Sequence, residues 1–283
     1  MIKLTARTSE RIAKVFILSI AVLIMGILIW IIGDILLNGI PHINFSFLSQ
    51  MPRNMGREGG IFPTIVGTLM LTVLAILIAV PFGVGAAYYL AEYTKGGIVT
   101  RIIRFGAESL AGIPSIVYGI FGVLLFVEIL GLGFSIISGA LTVSIMILPT
   151  IIRTSEEALL AVPKIYRDAS FSLGATKWQT IRCAVTPTAI RGIVNGVILG
   201  VGRCVAETAA VMLTMGGNVL AVPSSISSSG RTMAVHFYIL AQEGVMQNAY
   251  TTAAILIILI FIINIGTNAV IDQFISKRTK GAR

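Results

Sequence analysis

Charge is what this chain has least of. Of its 283 residues only 12% are Asp, Glu, Lys or Arg, against roughly 25% in a typical soluble domain. So few charges cannot clothe the surface of a soluble fold. Cysteine is nearly absent. Cys183 and Cys204 offer neither a disulfide framework nor a metal-ligand spacing, and each reads as a small buried hydrophobe. The two histidines, His42 and His236, stand alone and far apart in sequence, which argues against a metal role. No His-Glu zinc motif, aspartyl pair or nucleophile–base arrangement is visible, which argues against an enzyme. No glycine-rich loop ends in Gly-Lys-Ser/Thr. The chain is therefore expected to hold no cofactor, and any ATP must be bound by a partner.

Hydrophobic residues fill the space that charge leaves. They make up 56% of the chain, and the mean hydropathy is +0.94. Several uncharged runs reach the roughly 20 residues needed to cross a bilayer. Six apolar segments stand out, at about 13–37, 62–90, 108–128, 134–154, 187–213 and 250–272. Runs such as "AAILIILIFIINIG" lack the alternation of a barrel strand, and a helix satisfies its own backbone hydrogen bonds in lipid. The first segment runs uncharged from Val15 to Gly33, longer than a signal-peptide core, and reads as a retained span. Within the second, Pro81 followed by Gly83 and Gly85 suggests a kink. The glycines of "GIVNGVILGVG" suit close helix packing.

The net charge of +9 raises nucleic acid as a partner, but no basic patch interleaved with aromatics appears. The cations instead gather between apolar runs. With six spans, one side of the membrane holds nearly all of them. Only Arg53, Arg57 and Arg231 are assigned to the other side; Lys14, Arg153 and Arg191, near segment ends, are assigned to the first side, and Arg203 alone is assigned to a segment's interior. The positive-inside rule then places both termini in the cytoplasm. The expected fold is an all-α polytopic membrane bundle of about six transmembrane helices with a cytoplasmic hairpin. Residues 1–12 form a cytoplasmic start, 13–275 the membrane domain with the hairpin at 156–186, and 276–283 a basic cytoplasmic tail. Outside, residues 38–60 read as an interfacial loop. Residues 216–249 read as a turn or unwound Gly-Ser segment followed by "TMAVHFYILAQ", too short to span and suited to an interfacial or re-entrant helix.

The hairpin and the fifth span carry the candidate site. In "EEALLAVPKIYRDASFSLGATKWQTIRCAVTPTAI", Pro163 can open a helix and Gly174 permits a turn. Trp178, Ile181 and Val185 recur at helical spacing. Two short amphipathic helices joined at a glycine are expected, with Gly174 in a conformation that side chains resist and in a crowded contact. An interfacial hairpin with only a packing role stays open on these residues alone. In "GVGRCVAETAAVML", Arg203 and Glu207 sit four apart in an apolar run, one turn apart on one helix face. A span of 187–213 puts Arg203 about 4–5 Å past its midpoint. Both a structural ion pair and a pair facing a transport path stay open.

The hairpin resembles the EAA loop of importer-type ABC permeases, which reads Glu-Ala-Ala, three residues, Gly, nine residues, Ile-x-Leu-Pro. Asp168, Ala169 and Ser170 stand for the first three, Gly174 follows in register, and Ala184, Thr186 and Pro187 close the pattern. The departures are Asp for Glu, Ser for Ala, Ala for Ile and Thr for Leu. From about position 8 to 275 the chain resembles the PstA branch of the PstA/PstC permeases of phosphate ABC importers. "RFGAESLAGIPSIVYGIFG", "LPTIIRTSEEALLAVP" and "GVGRCVAETAAVMLTMGG" are the strongest stretches. The resemblance implies a type I importer permease fold and a phosphate pathway with Arg203 and Glu207 on it. It also implies ATPase coupling through Arg167, Asp168, Ala169, Ser170, Gly174 and Pro187. The implied partners are a second, PstC-like permease, two PstB-like ATPase subunits that bind ATP, a PstS-like extracytoplasmic phosphate-binding protein, inorganic phosphate and the lipid bilayer. A permease for another oxyanion, such as molybdate or sulfate, is the alternative. A cysteine placed at position 170 should react with impermeant thiol reagents only from the cytoplasmic side; labelling from outside intact cells would overturn this topology.

Overall fold

The computed structural model describes residues 6–280 other than Lys95. Of the cations used for topology, Lys3, Lys95 and Arg283 lie outside the described residues. Among the described residues, five helices are long and apolar enough to cross a membrane, or six if one bent pair counts as a single crossing.

Helix α1 (Ala6–Gly39) exposes apolar side chains along most of its length, as expected of a surface facing lipid tails. It joins the bundle at its end, where Gly39 lets its backbone press against Tyr250 and Ala254. Beyond it, α2 (Phe45–Ser49) is capped by Asn44, whose Oδ1 accepts from the Phe47 amide at 2.7 Å. A small antiparallel ribbon of β1 (Pro52–Arg53) and β2 (Glu58–Gly59) leads into α3 (Phe62–Tyr88).

Helix α3 runs through Pro81 without a break. A wider π-helical turn follows over Tyr89–Tyr93. Gly83 serves close packing, since a Cβ there would lie 2.8 Å from Ile151 Cγ2, while among the described residues nothing lies within 4 Å of a Cβ at Gly85. The third expected crossing is corrected. Helices α4 (Ile98–Ala111) and α5 (Ser115–Gly122, extended by a π-helical segment to Ile129) meet at 105°. Pro114 lacks an amide hydrogen and disfavours helix at Ile113, so the chain turns there. Helix α4 exposes Ile98, Val99, Ile102 and Phe105, while Arg104 donates to Glu156 Oε1 at 2.6 Å. One apolar and one charged face suit a helix at the membrane surface.

Helix α6 (Ile136–Leu160) is the central post. Leu71, Ala75 and Ala79 of α3 meet its Val143, Met146, Ile147 and Ile151 in the main core. On its other flank lies α9 (Thr186–Ala206). Gly192, Gly196 and Gly200, four residues apart, face Ala158, Thr154 and Ile151. Without side chains at these glycines the two backbones approach closely, which is how transmembrane helices associate when lipid supplies no hydrophobic drive. Between α6 and α9 come α7 (Lys164–Ser172) and α8 (Lys177–Thr180). A π-helical stretch, Ile181–Val185, fuses α8 to α9. The second arm of the expected hairpin is therefore the first turn of one 30-residue helix, Lys177–Ala206.

After α10 (Ala209–Thr214) the Gly-Ser segment folds over the start of α6. The Ser135, Ile136 and Ile137 amides donate to the Thr214, Ser228 and Ile226 carbonyls, so the helix start is satisfied by protein. Helix α11 (Met233–Gln242) packs inward and buries Met233, Val235, His236 and Leu240. Helix α12 (Met246–Lys280) completes the bundle beside α1. Its entry is tied to the loop before α3, where Arg57 Nε meets Glu243 Oε2 at 2.9 Å and Asn248 Nδ2 donates to Arg57 O at 2.6 Å.

His236 is closely held at this end. It is fully buried, its Nδ1 lies 3.4 Å from Arg231 Nη1, and its Nε2 has no partner among the described residues. Gly56, at φ +100°, packs directly on its ring. Burial first, and the Arg231 charge second, push its pKa down to about 4, against a smaller opposing pull from Glu243. A depressed histidine pKa means that the fold favours the neutral ring. That stability is present above the ordinary value of 6.5 and is lost as pH falls through about 4. The melting temperature in detergent should therefore fall between these pH values more steeply for the wild type than for His236→Gln. Parallel pH profiles would refute this.

Candidate functional site

Helix α9 ends at Ala206, and Glu207 is extended, with φ −69° and ψ 130°. This corrects the expected single span of 187–213. Arg203 and Glu207 do not share a helix face, and among the described residues no ion pair joins them. The break has local causes. The Glu207 amide turns back to Cys204 O, Thr208 Oγ1 donates to Ala206 O at 3.3 Å, and Glu207 Oε1 accepts from the Ala210 amide at 3.2 Å. The carboxylate thus caps the start of α10, where negative charge is favoured.

Arg203 lies in the last turn of α9, where positive charge is favoured. It is half-exposed. The helix carrying it starts at Lys177, so Arg203 sits about 17 Å beyond that helix's midpoint at 1.5 Å per residue. It marks a helix end rather than a span centre. Its charge acts on the phenol of Tyr118, which is buried and donates to Leu110 O at 2.7 Å across the α4–α5 bend. The neighbouring Cys204 is buried against α3, with Sγ 3.8 Å from Thr72 Oγ1. Two breaks in regular backbone therefore lie close together. Gly119 of α5 fits against Ala210 and Leu213 of α10, and Gly122 against Thr142 and Thr214. Irregular backbone at membrane depth is tolerated only inside protein or beside a water-filled cavity.

At the other end the hairpin is rigid. Helix α7 closes in a Schellman turn, with the Gly174 amide donating to Phe171 O and the Ala175 amide to Ser170 O. Gly174 has φ +79°, as expected, but a Cβ there would meet open space, so the expected crowding is absent. Thr176 and Gln179 form a reciprocal capping box at α8. Ser170 Oγ lies 2.9 Å from Thr180 Oγ1 and links the two arms. Asp168 and Ala169 are exposed. Ile165, Leu173 and Trp178 are 71%, 89% and 61% exposed, an apolar set beside charged neighbours.

Arg167 departs from the expected rim contact with a partner. Its Nη2 donates to Glu92 Oε1 at 2.6 Å and to Leu159 O at 2.8 Å, and its Nη1 to Val162 O at 2.6 Å. Its guanidinium is bound up within the chain. Pro187 lies inside the continuous helix, directly after the π-helical stretch, not at its start. There the Thr186 amide reaches Ile181 O, and the wider turn leads into a residue that has no amide hydrogen to donate. Glu92 was missed from sequence, although it is the sole acid between Glu58 and Glu108.

Residues 79–280 match the family model described as "binding-protein-dependent transport system inner membrane component". The chain belongs to this family. It is 33% identical over 261 residues to the probable ABC transporter permease protein YqgI of Bacillus subtilis, covering 87% of this chain and 89% of that one. It is 40% identical over 158 residues to phosphate transport system permease protein PstA 1 of Mycobacterium tuberculosis, covering 56% of this chain and 52% of that one. A crystal structure of a bacterial alginate ABC transporter, bound to its alginate pentasaccharide-loaded periplasmic protein, matches with TM-score 0.64 at 14% identity, over 95% of this chain and 98% of that one. A MetNI methionine ABC transporter in an inward-facing conformation matches with TM-score 0.59 at 20% identity, over 75% and 95%. The permease is thus an all-α, multi-pass membrane subunit of an ABC importer and forms its translocation pathway. Such importers combine permease, ATPase and binding protein. The family is a permease component and carries no catalytic role.

Proposed function

We propose that this permease serves a phosphate importer. The observation that carries the proposal is Arg203, half-buried at the end of α9 beside the α9–α10 break, with no carboxylate paired to it among the described residues. A planar guanidinium binds a tetrahedral oxyanion with charge and paired donors together. Relatives named as phosphate permeases, at 33–40% identity, support the same substrate. Glu207 takes a different part from the one its spacing suggested. As the cap of α10 it holds the break in shape, and as a carboxylate near the path it disfavours overtight anion binding.

The assembly that fits is this chain with a PstC-like permease, two PstB-like ATPases and a PstS-like phosphate-binding protein. Both termini and the hairpin lie in the cytoplasm, on the side where the cations gather. The hairpin offers Asp168, Ala169 and the exposed apolar set of Ile165, Leu173 and Trp178 to the ATPase. Ser170 and Gly174 hold its shape, and Pro187 lies where its second arm enters the membrane.

Arg203→Gln should abolish uptake of radiolabelled phosphate, a loss of roughly 10–100-fold or more for removal of charged hydrogen bonds, while the complex still assembles. Arg203→Lys should rescue partly, keeping charge but losing the fork. Glu207→Gln should do less harm than Arg203→Gln, because an amide oxygen can still cap α10. Near-normal uptake by Arg203→Gln, normalised to assembled complex, would defeat the pathway role. Unchanged phosphate uptake alongside lost sulfate or molybdate uptake would favour another oxyanion.

A further inference from the structure

One guanidinium ties three elements together at the hairpin end. Arg167, in the middle of α7, reaches Glu92 on the π-helical turn that ends α3 and the Leu159 and Val162 carbonyls at the end of α6. The pair is enclosed, with the Glu92 side chain 8% exposed and that of Arg167 18%. Leu159 O also accepts from the Val162 amide at 3.3 Å, and both carbonyls lie at the C-terminal end of α6, where a cation is favoured. The same π-helical turn also meets the second arm of the hairpin, with Lys177 Nζ 4.7 Å from the centre of the Tyr93 ring.

We infer that Glu92 and Arg167 form a latch that carries hairpin movement into the transport bundle. Glu92 is the positioning residue. The inference rests on the reading that the hairpin docks the ATPase. A displaced α7 cannot slide past α3 and α6 while the latch holds, because all three are fixed to one planar group. Helices α3 and α6 share the main core, and α6 packs along α9, the helix that ends beside Arg203. The path from hairpin to Arg203 is therefore contiguous through packed helices. A wide π-helical turn is a local departure from the α-helix of the kind often found at functional sites. Its carboxylate is held by charge, not by shape alone, so the charge is what the latch requires.

The test uses the assembled permease–ATPase complex on a Cys183→Ser background, with spin labels at the exposed positions Phe45 and Leu220. A non-hydrolysable ATP analogue is added without any substrate, so failure of the phosphate reading leaves the measurement intact. ATP should shift the label distance in the otherwise wild-type complex. Glu92→Gln should bind the analogue and retain the ATPase, yet reduce the switched population at least about fivefold. Glu92→Asp, shorter but charged, should keep more of the shift than the isosteric Glu92→Gln. A packing role predicts the opposite order, and a full shift in Glu92→Gln overturns the latch. Leu173→Asp at the hairpin tip tests the docking beneath it. Loss of the ATPase supports that docking, and its retention overturns both docking and latch.

Discussion

A backbone that leaves helical form within a bilayer must find its hydrogen bonds in protein, because lipid offers none. The bonds around Glu207 meet that requirement within the protein. The chain departs from α9 here, and Glu207 and Thr208 satisfy groups that the departure frees. The α4–α5 bend next to it is held by Tyr118 donating to Leu110 O. Gly119 and Gly122 let α5 and α10 pack tightly over these irregular segments. A cation at the end of α9 is then stabilised by the helix terminus and left partly accessible.

Small residues make the rest of the bundle respond as a unit. Gly192, Gly196 and Gly200 bring α9 against α6, and Gly83 brings α3 against the same helix. Such close contacts resist gradual deformation, so motion at one end passes on as displacement of whole helices. The hairpin is equally stiff, with a Schellman turn, a capping box and the Ser170–Thr180 contact. A rigid hairpin on rigid helices suits an importer whose energy source is bound by another subunit.

Most of the architecture was legible from residue pattern. Long uncharged runs located the spans, and Gly174 announced its left-handed turn. What failed depended on contacts distant in sequence or on short-range competition. The third crossing was drawn straight because hydropathy does not register direction, although Gly112 and Pro114 marked the turn. The α9–α10 break was hidden because "CVAETAAVML" has ordinary helical composition. Only the side-chain bonds of Glu207 and Thr208 reveal the alternative. Arg167 looked like a rim charge because its partner, Glu92, lies 75 residues away. Pro187 looked like a boundary because a π-helical stretch that absorbs a proline has no sequence signature.

The central claim, that this permease passes phosphate, is tested most directly by rebuilding the full importer in liposomes. Uptake of radiolabelled phosphate driven by enclosed ATP would be measured with excess unlabelled phosphate, sulfate or molybdate as competitor. Phosphate alone should compete and be carried. Uptake of sulfate or molybdate in place of phosphate would contradict the account.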